Sequence, residues 1–173
     1  LGANAMAEQQ PEFRAGWVTR FEWPDRDPER CKAKITEVFE TAASANLNAV
    51  IFQIRGEADV LYPSELEPWS QLIGGKDPGF DPLAFAIAEA RKHGIEFHAY
   101  MNAMPLRSTS LRQPPHPDHL WHRHGPDSPE PWVCRDEQGR PTREEYVYMS
   151  AAIPEVHAYV RKVITDVVSR YDV

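Results

Sequence analysis

The segment Ala49–Ile54 (AVIFQI) constrains this chain more than any other. A short, nearly continuous apolar run reads as a strand covered on both faces. Strands of that kind belong to parallel sheets, whose members are joined by helical crossovers. The flanking sequence fits this. Phe13–Arg20 (FRAGWVTR) reads as a strand before it and Ile95–Met101 (IEFHAYM) as a strand after it. Between the first two, Asp25 and Asp27 are capping residue types and Pro28 suits a first helical turn. Cys31, Ile35, Val38, Phe39 and Ala42 then recur at helical spacing, and the stripe fades at Asn46. Asp81-Pro82 opens a second helix, with Leu83, Ala86, Ile87 and Ala90 on its buried side and Gly94 as its stop. A third begins near Pro154, with a stripe of Val156, Val160, Val163, Ile164, Val167 and Tyr171. The order β-α-β-α-β-loop-α implies an α/β fold with parallel pairing and right-handed crossovers.

The connections carry most of the polar sequence. Arg55–Phe80 is rich in Gly, Pro, Asp and Ser, and Asn102–Ser150 is long and studded with prolines. A connection of the second length is unusual unless it serves a function. Within it, Trp132–Arg135 and Tyr146–Met149 flank Gln138-Gly139 and are expected to pair as a small hairpin. Residues 1–12 are set apart from the domain at 13–173. Leu1–Ala7 (LGANAMA) holds two small-x-small patterns that fit either the remnant of a secretory signal or a vector-derived scar. No apolar run is long enough to cross a bilayer.

Composition narrows the function classes. Hydrophobic residues make up 42% of the 173, enough for a core, and the formal net charge is -7. A chain this acidic is not a general nucleic-acid binder, which needs a basic face to neutralise phosphates. Clustered cations leave an anionic sugar open as a ligand. Cys31 and Cys134 are the only cysteines and settle neither a disulfide nor a redox compartment. Cys31 is expected to be a buried thiol.

The wording of several segments resembles the glycoside-hydrolase-like ten family, a group of bacterial proteins read as glycosidases. The resemblance rests on Arg14-Ala15-Gly16-Trp17-Val18-Thr19-Arg20 and on the long run Asn48-Ala49-Val50-Ile51-Phe52-Gln53-Ile54-Arg55-Gly56-Glu57-Ala58-Asp59-Val60-Leu61-Tyr62-Pro63-Ser64. It continues through Glu67-Pro68-Trp69-Ser70 and Asp77-Pro78-Gly79-Phe80-Asp81-Pro82-Leu83. It is seen again in His98-Ala99-Tyr100-Met101-Asn102, in Ile153-Pro154-Glu155-Val156 and in Arg170-Tyr171-Asp172-Val173. It implies a partial (β/α)8 TIM-type barrel, roughly its first three β/α units with a long loop after the third strand. The implied role is a carbohydrate-active domain of the hydrolase type, acting on a bacterial cell-wall or other complex polysaccharide. In proteins of this family Tyr-Asp-Val runs on into a carboxylate-bearing fourth strand, so the main catalytic carboxylates are expected beyond Val173 and this fragment alone is expected to be inactive. Met104-Pro105 departs from the family's sequence after Asn102.

In a barrel of that type, functional groups sit at the C-terminal ends of strands and in the loops that follow. The substrate-binding candidates are therefore Arg20, Gln53, Arg55, Glu57, Asp59, Tyr62, His98 and Asn102. Glycoside hydrolysis uses two carboxylates flanking the scissile bond, and Glu57 and Asp59 are the one local pair. Arg20 and Arg55 can clamp a carboxylate or sugar hydroxyls, or pair with Glu22 or Glu57 and shape the rim. Gln53, on an apolar strand, needs partners if buried. His98 and Asn102, four apart, share a strand face. Trp69, Trp121 and Trp132 offer flat faces to sugar rings, or pack loops against the sheet end. His116, His119, His122 and His124 match no metal-ligand spacing, and neither metal nor cofactor is expected.

Two readings follow: a glycoside hydrolase to which this chain contributes part of the cleft, or a non-catalytic glycan-binding or surface-anchoring module. Either is expected to be secreted or located in the periplasm or cell envelope. Three strands also leave open sheet edges. The expected partners are a carbohydrate, and either further copies of the chain or the remainder of a longer polypeptide. The central expectation is that three parallel strands aim Arg20, Arg55 and Asn102 into one sugar-sized hollow.

Overall fold

A computed structural model describes residues 12–110, 116–142 and 144–173. The secretory or vector-derived segment Leu1–Ala7 lies outside them. Three strands, β1 (Ala15–Val18), β2 (Ala49–Arg55) and β3 (Glu96–Met101), form a sheet in the order β1-β2-β3. Both pairings are parallel, with Trp17 opposite Ile51 and Ile51 opposite His98. The crossovers are α1 (Pro28–Ser44) and α2 (Pro82–Lys92). Each starts as its sequence dictates. The Asp27 carboxylate accepts from the N–H groups of Glu29 and Arg30, the Asp81 carboxylate accepts from those of Leu83 and Ala84, and a proline occupies the first turn of each helix. After α2 the chain reverses at Gly94, whose φ of 64° suits a residue without a Cβ.

One sheet face builds the main core. Val50, Phe52, Ile54 and Phe97 alternate onto it and meet Ile35 and Phe39 of α1 and Leu83, Ala86, Ile87 and Ala90 of α2. Phe52 is its centre, with ring centroids of Trp23, Phe97 and Phe39 at 4.8, 5.5 and 5.9 Å. Cys31 is buried there as a free thiol. The opposite face is a different surface. Trp17 is 59% exposed and lies edge-on to Tyr100 at 4.9 Å, while Phe13, also 59% exposed, lies edge-on to His98.

In its described residues the long connection after β3 is more ordered than its proline content suggests. It contains β4 (Pro105–Ser108), the short α3 (Leu120–His124) and β5 (Tyr146–Tyr148), and is followed by α4 (Pro154–Arg170). The expected hairpin forms in part: Val133 bridges Met149 antiparallel, the Cys134 N–H donates to the Tyr148 carbonyl at 2.9 Å and the Ser150 N–H to the Trp132 carbonyl at 2.7 Å. On its other edge Tyr146–Tyr148 pairs antiparallel with β4, a pairing that the sequence did not announce. The reason is burial. Leu106, Val133, Val147 and Met149 form a second core with Ala58, Leu120 and Val156, and a two-stranded ribbon alone could not build one. α4 ties the two cores together, with Val156 in the second and Val167 in the first.

Phe52 has no exposed surface and contacts an aromatic side chain on several sides. Phe52→Ala is expected to lower stability by about 3–5 kcal/mol through lost burial and the cavity left behind. Urea unfolding monitored by circular dichroism measures this.

Candidate functional site

Where the parallel strands end, the sequence places polar side chains that the fold must either satisfy or leave to solvent. It satisfies two of them with buried ion pairs. Arg20, just past β1, is 3% exposed, and its guanidinium donates to Glu57 Oε1 at 2.7 Å and to the Tyr146 hydroxyl at 3.3 Å. The other Glu57 oxygen accepts from the Ser108 N–H at 2.6 Å, so one carboxylate joins β1, the loop after β2, and the β4–β5 ribbon. Burial pushes the Glu57 carboxyl above its ordinary value, against the opposing pull of the Ser108 N–H and the Arg20 charge. Gly56 makes room for this pair. A Cβ there would sit 2.9 Å from Arg20 Cδ and Nε.

Arg55, the last residue of β2, is 1% exposed. Its fork meets Glu67 at both oxygens, with Nε to Oε2 at 2.7 Å and Nη2 to Oε1 at 2.5 Å. Its remaining nitrogen donates to the Asn102 carbonyl and, at 3.3 Å, to that of Ala103. Burial opposes the Arg55 charge, and facing Glu67 more than offsets it, so the guanidinium's pKa stands above its ordinary value. The Tyr159 hydroxyl of α4 adds a bond to Glu67 Oε1 at 2.8 Å. Gln53 links the two pairs: its Oε1 accepts from the Arg20 backbone N–H at 2.9 Å and its Nε2 donates to the Arg55 carbonyl at 3.2 Å.

The candidates thus meet, though in a network and not around an open hollow. The Arg20 and Arg55 guanidinium groups face partners within the protein. Of the two ion-pair partners the sequence left open, Glu22 and Glu57, Arg20 takes Glu57. Arg55 pairs with Glu67, which sequence reasoning missed because eleven residues of loop separate them. Asp59 is spent locally, accepting from the Glu57 N–H at 2.9 Å. Tyr62 is fully buried, edge-on to Tyr171 with centroids 6.1 Å apart, and its hydroxyl has no hydrogen-bond partner among the described residues. His98 stays on the exposed sheet face, with Nε2 2.9 Å from Glu96 Oε1. Four residues of strand, about 13 Å, separate it from Asn102.

Asn102 is the candidate left with free valence. Its Oδ1 accepts from the Tyr100 hydroxyl at 2.5 Å, while its side-chain amide donates to nothing among the described residues. Phe21, 68% exposed, has the Arg20 guanidinium 4.7 Å from its ring centroid, and the half-buried Tyr146 ring lies 6.0 Å from the same group. Sequence reasoning did not single out either aromatic. Phe21 directly follows Arg20, a signal that was available.

The loop tryptophans and histidines divide differently. Trp132 stacks on His124 at 3.6 Å, Trp121 lies 5.4 Å from the Arg107 guanidinium, and both pack on the second core. No three His, Cys, Asp or Glu side chains converge as a metal site among the described residues. His119 has a structural task. Its Nδ1 accepts from the Trp121 N–H at 3.0 Å, which places the proton on Nε2, where it is donated to the Glu57 carbonyl at 2.7 Å. Burial lowers its pKa.

Fold and site together define a class: a parallel α/β domain with its polar machinery at the C-terminal ends of the strands. The chain belongs to the glycosyl hydrolase-like 10 family, whose sequence profile matches residues 12–173. It is 34% identical over 182 residues to the glycosyl hydrolase YngK of Bacillus subtilis, covering 99% of this chain and 33% of that protein. It is 27% identical over 198 residues to the glycosyl hydrolase DigH of Escherichia coli, covering 99% of this chain and 42% of that one. The chain therefore spans between a third and under a half of these relatives' lengths. In fold it is similar to a noncanonic maltogenic α-amylase, AmyB of Thermotoga neapolitana, at a TM-score of 0.55 and 17% identity. That match covers 92% of this chain and 37% of the amylase.

Two predictions follow from the buried groups. Arg55→Leu strands the Glu67 carboxylate in the interior and is expected to cost about 3–5 kcal/mol, whereas the double change Arg55→Leu/Glu67→Leu costs less than the single one. Urea denaturation of the two variants decides this. His119, with its pKa below the ordinary ~6.5, leaves the unfolded chain binding more protons as pH falls through that value. Its contribution to stability is therefore present above pH ~6.5 and lost below it. The melting temperature of the wild type should fall more steeply between pH 7 and 5 than that of His119→Gln.

Proposed function

We propose that this chain supplies part of the substrate cleft of a carbohydrate-active enzyme of the glycoside hydrolase type. Its substrate is a bacterial cell-wall glycan or another complex polysaccharide, met outside the cytoplasm, in the secreted or periplasmic space or at the envelope. The observation that carries the reading, beside family membership, is the pair of aromatics Phe21 and Tyr146 around Arg20, in the strand-end network that also holds Asn102. Aromatic faces and amide donors are what a neutral sugar ring needs: a flat apolar surface and oriented hydrogen bonds. In this reading Arg20, Gln53, Arg55 and Glu57 position those groups, and β1, β2 and β3 are consecutive staves of a TIM-type barrel. The likeness to the amylase fold and the exposed apolar face around Trp17 support the barrel reading. That face is covered in turn by the remainder of a longer polypeptide or by a second copy. Light scattering of the chain is expected to show self-association that Trp17→Ser weakens; a stable monomer that is insensitive to this change contradicts it.

The functional test is co-sedimentation with insoluble bacterial cell-wall glycan, together with an assay for new reducing ends, on the intact protein that carries this chain. Phe21→Ala and Asn102→Ala are each expected to weaken retention about tenfold, the scale of one stacking or hydrogen-bonding contact. Retention without new reducing ends would establish the alternative, a non-catalytic glycan-binding or anchoring module. Full retention and activity in both variants would remove this site.

A further inference from the structure

The loop between β2 and α2 builds a second hollow, which meets the strand-end network described above at Glu67. A cavity of about 670 Å³ is lined by Ser64, Glu65, Trp69 and Asp77 of this loop and by Asp166 and Arg170 of α4. An adjoining cavity of about 360 Å³ shares Ser64, Glu65 and Trp69 and continues past Lys76 and Asp118. Trp69 is therefore the common wall of one extended groove, of a size in the range of ligand sites.

The groove is held rather than improvised. Arg170 donates to the Pro63 carbonyl at 2.9 Å and pairs with Asp166 at 2.9 Å, which fixes the loop to the last turns of α4. Beneath it, the Ser64 hydroxyl accepts from the N–H of Leu66 at 3.1 Å, and the backbone of Val60 accepts from Ser70 at 2.8 Å. Trp69 is half-buried against the first core, so its ring is fixed, and its indole N–H donates to nothing among the described residues. Glu65 and Asp77 are exposed and have no ion-pair partner among the described residues. Arg170, the one cation of the larger cavity, is already engaged by Asp166, and Lys76 of the adjoining cavity is outnumbered by Glu65, Asp77 and Asp118. An immobilised indole beside uncompensated carboxylates suits a flat ring bearing hydrogen-bond donors or a positive charge, and repels an anion.

The geometry points to this groove as a second glycan-binding subsite, one that takes a pyranose ring on Trp69 and prefers amino sugars to acidic ones. The inference rests on the carbohydrate reading above for its ligand class. It assigns the groove a holding role, keeping a polysaccharide chain on the protein beside the cleft.

The test is an amide and indole NMR titration of the full chain, with the Trp69 indole signal assigned by its loss in Trp69→Phe. The probes are a glucosamine tetramer, its N-acetylated form, and a galacturonate tetramer. The Trp69 signal is expected to shift with the first two and not with the third. Glu65→Gln/Asp77→Asn, both at exposed positions, should weaken the glucosamine tetramer about fivefold, the ceiling for a solvent-exposed ion pair, and leave the N-acetylated one unchanged. An unmoved Trp69 signal, or equal binding of the galacturonate tetramer, overturns the inference. The proposed cleft can fail separately. If Phe21→Ala abolishes retention on cell-wall glycan while the Trp69 shifts persist, both sites stand. If Trp69 is silent while retention still depends on Phe21, the groove alone falls.

Discussion

Two desolvated ion pairs, Arg20–Glu57 and Arg55–Glu67, hold the part of this domain that a hydrophobic core alone would not. Taking four charges out of water is costly, and such pairs contribute little net stability compared with apolar residues of the same shape. What they supply is connection. Glu57 receives bonds from β1 and from the β4–β5 ribbon, and Glu67 receives them from β2 and α4. Each carboxylate is a hinge point where a sheet end, a loop and the second core are made to agree. Removing one partner leaves the other charge buried and unmatched, so the arrangement is enforced by the cost of its alternatives.

This division of labour determines what is available to a ligand. Strand ends in parallel α/β proteins are where function usually sits, and the polar groups here are numerous, yet most are consumed in fixing one another. The guanidinium groups of Arg20 and Arg55 have no open directions towards solvent. The residues that keep open valence, Asn102, Phe21 and Tyr146, are those the network leans against: Arg55 grips the Asn102 backbone, and Arg20 lies by both rings. A rigid layer of charged pairs beneath a thin layer of neutral contact groups is a reasonable way to hold a sugar, whose hydroxyls discriminate on orientation more than on charge.

The sheet, its parallel direction and its two crossover helices were legible in the sequence because they obey short-range rules. The Asp27-Pro28 and Asp81-Pro82 starts, the Gly94 stop and the AVIFQI run each carry their own signal. The pairing of β4 was missed for the opposite reason. Pro105–Ser108 has no alternating pattern to announce a strand, and its pairing with Tyr146–Tyr148 spans some forty residues, so only burial in the second core adds it beside the nearer Trp132–Arg135. In the site, Arg20, Gln53, Arg55, Glu57 and Asn102 could be read from their places at strand ends. Glu67, Tyr159 and His119 could not, since a loop glutamate, a helix tyrosine and a loop histidine acquire meaning only when the chain brings them together.

Charge balance supports the carbohydrate reading on grounds independent of any single contact. The chain carries a formal net charge of -7, and the two buried arginines of its strand-end network, Arg20 and Arg55, are each matched by a glutamate. A phosphate-rich ligand would need exposed positive groups at those ends, and the guanidinium groups of Arg20 and Arg55 are neutralised and covered. A neutral polymer meets no such obstacle. It loses little electrostatic energy on leaving water, and it rewards fixed dipoles and aromatic faces, which are what these strand ends present. Compensating buried charge within the protein therefore does two things at once: it ties the strand ends to the loops around them, and it leaves a surface that, on the proposed reading, penalises an uncharged glycan least.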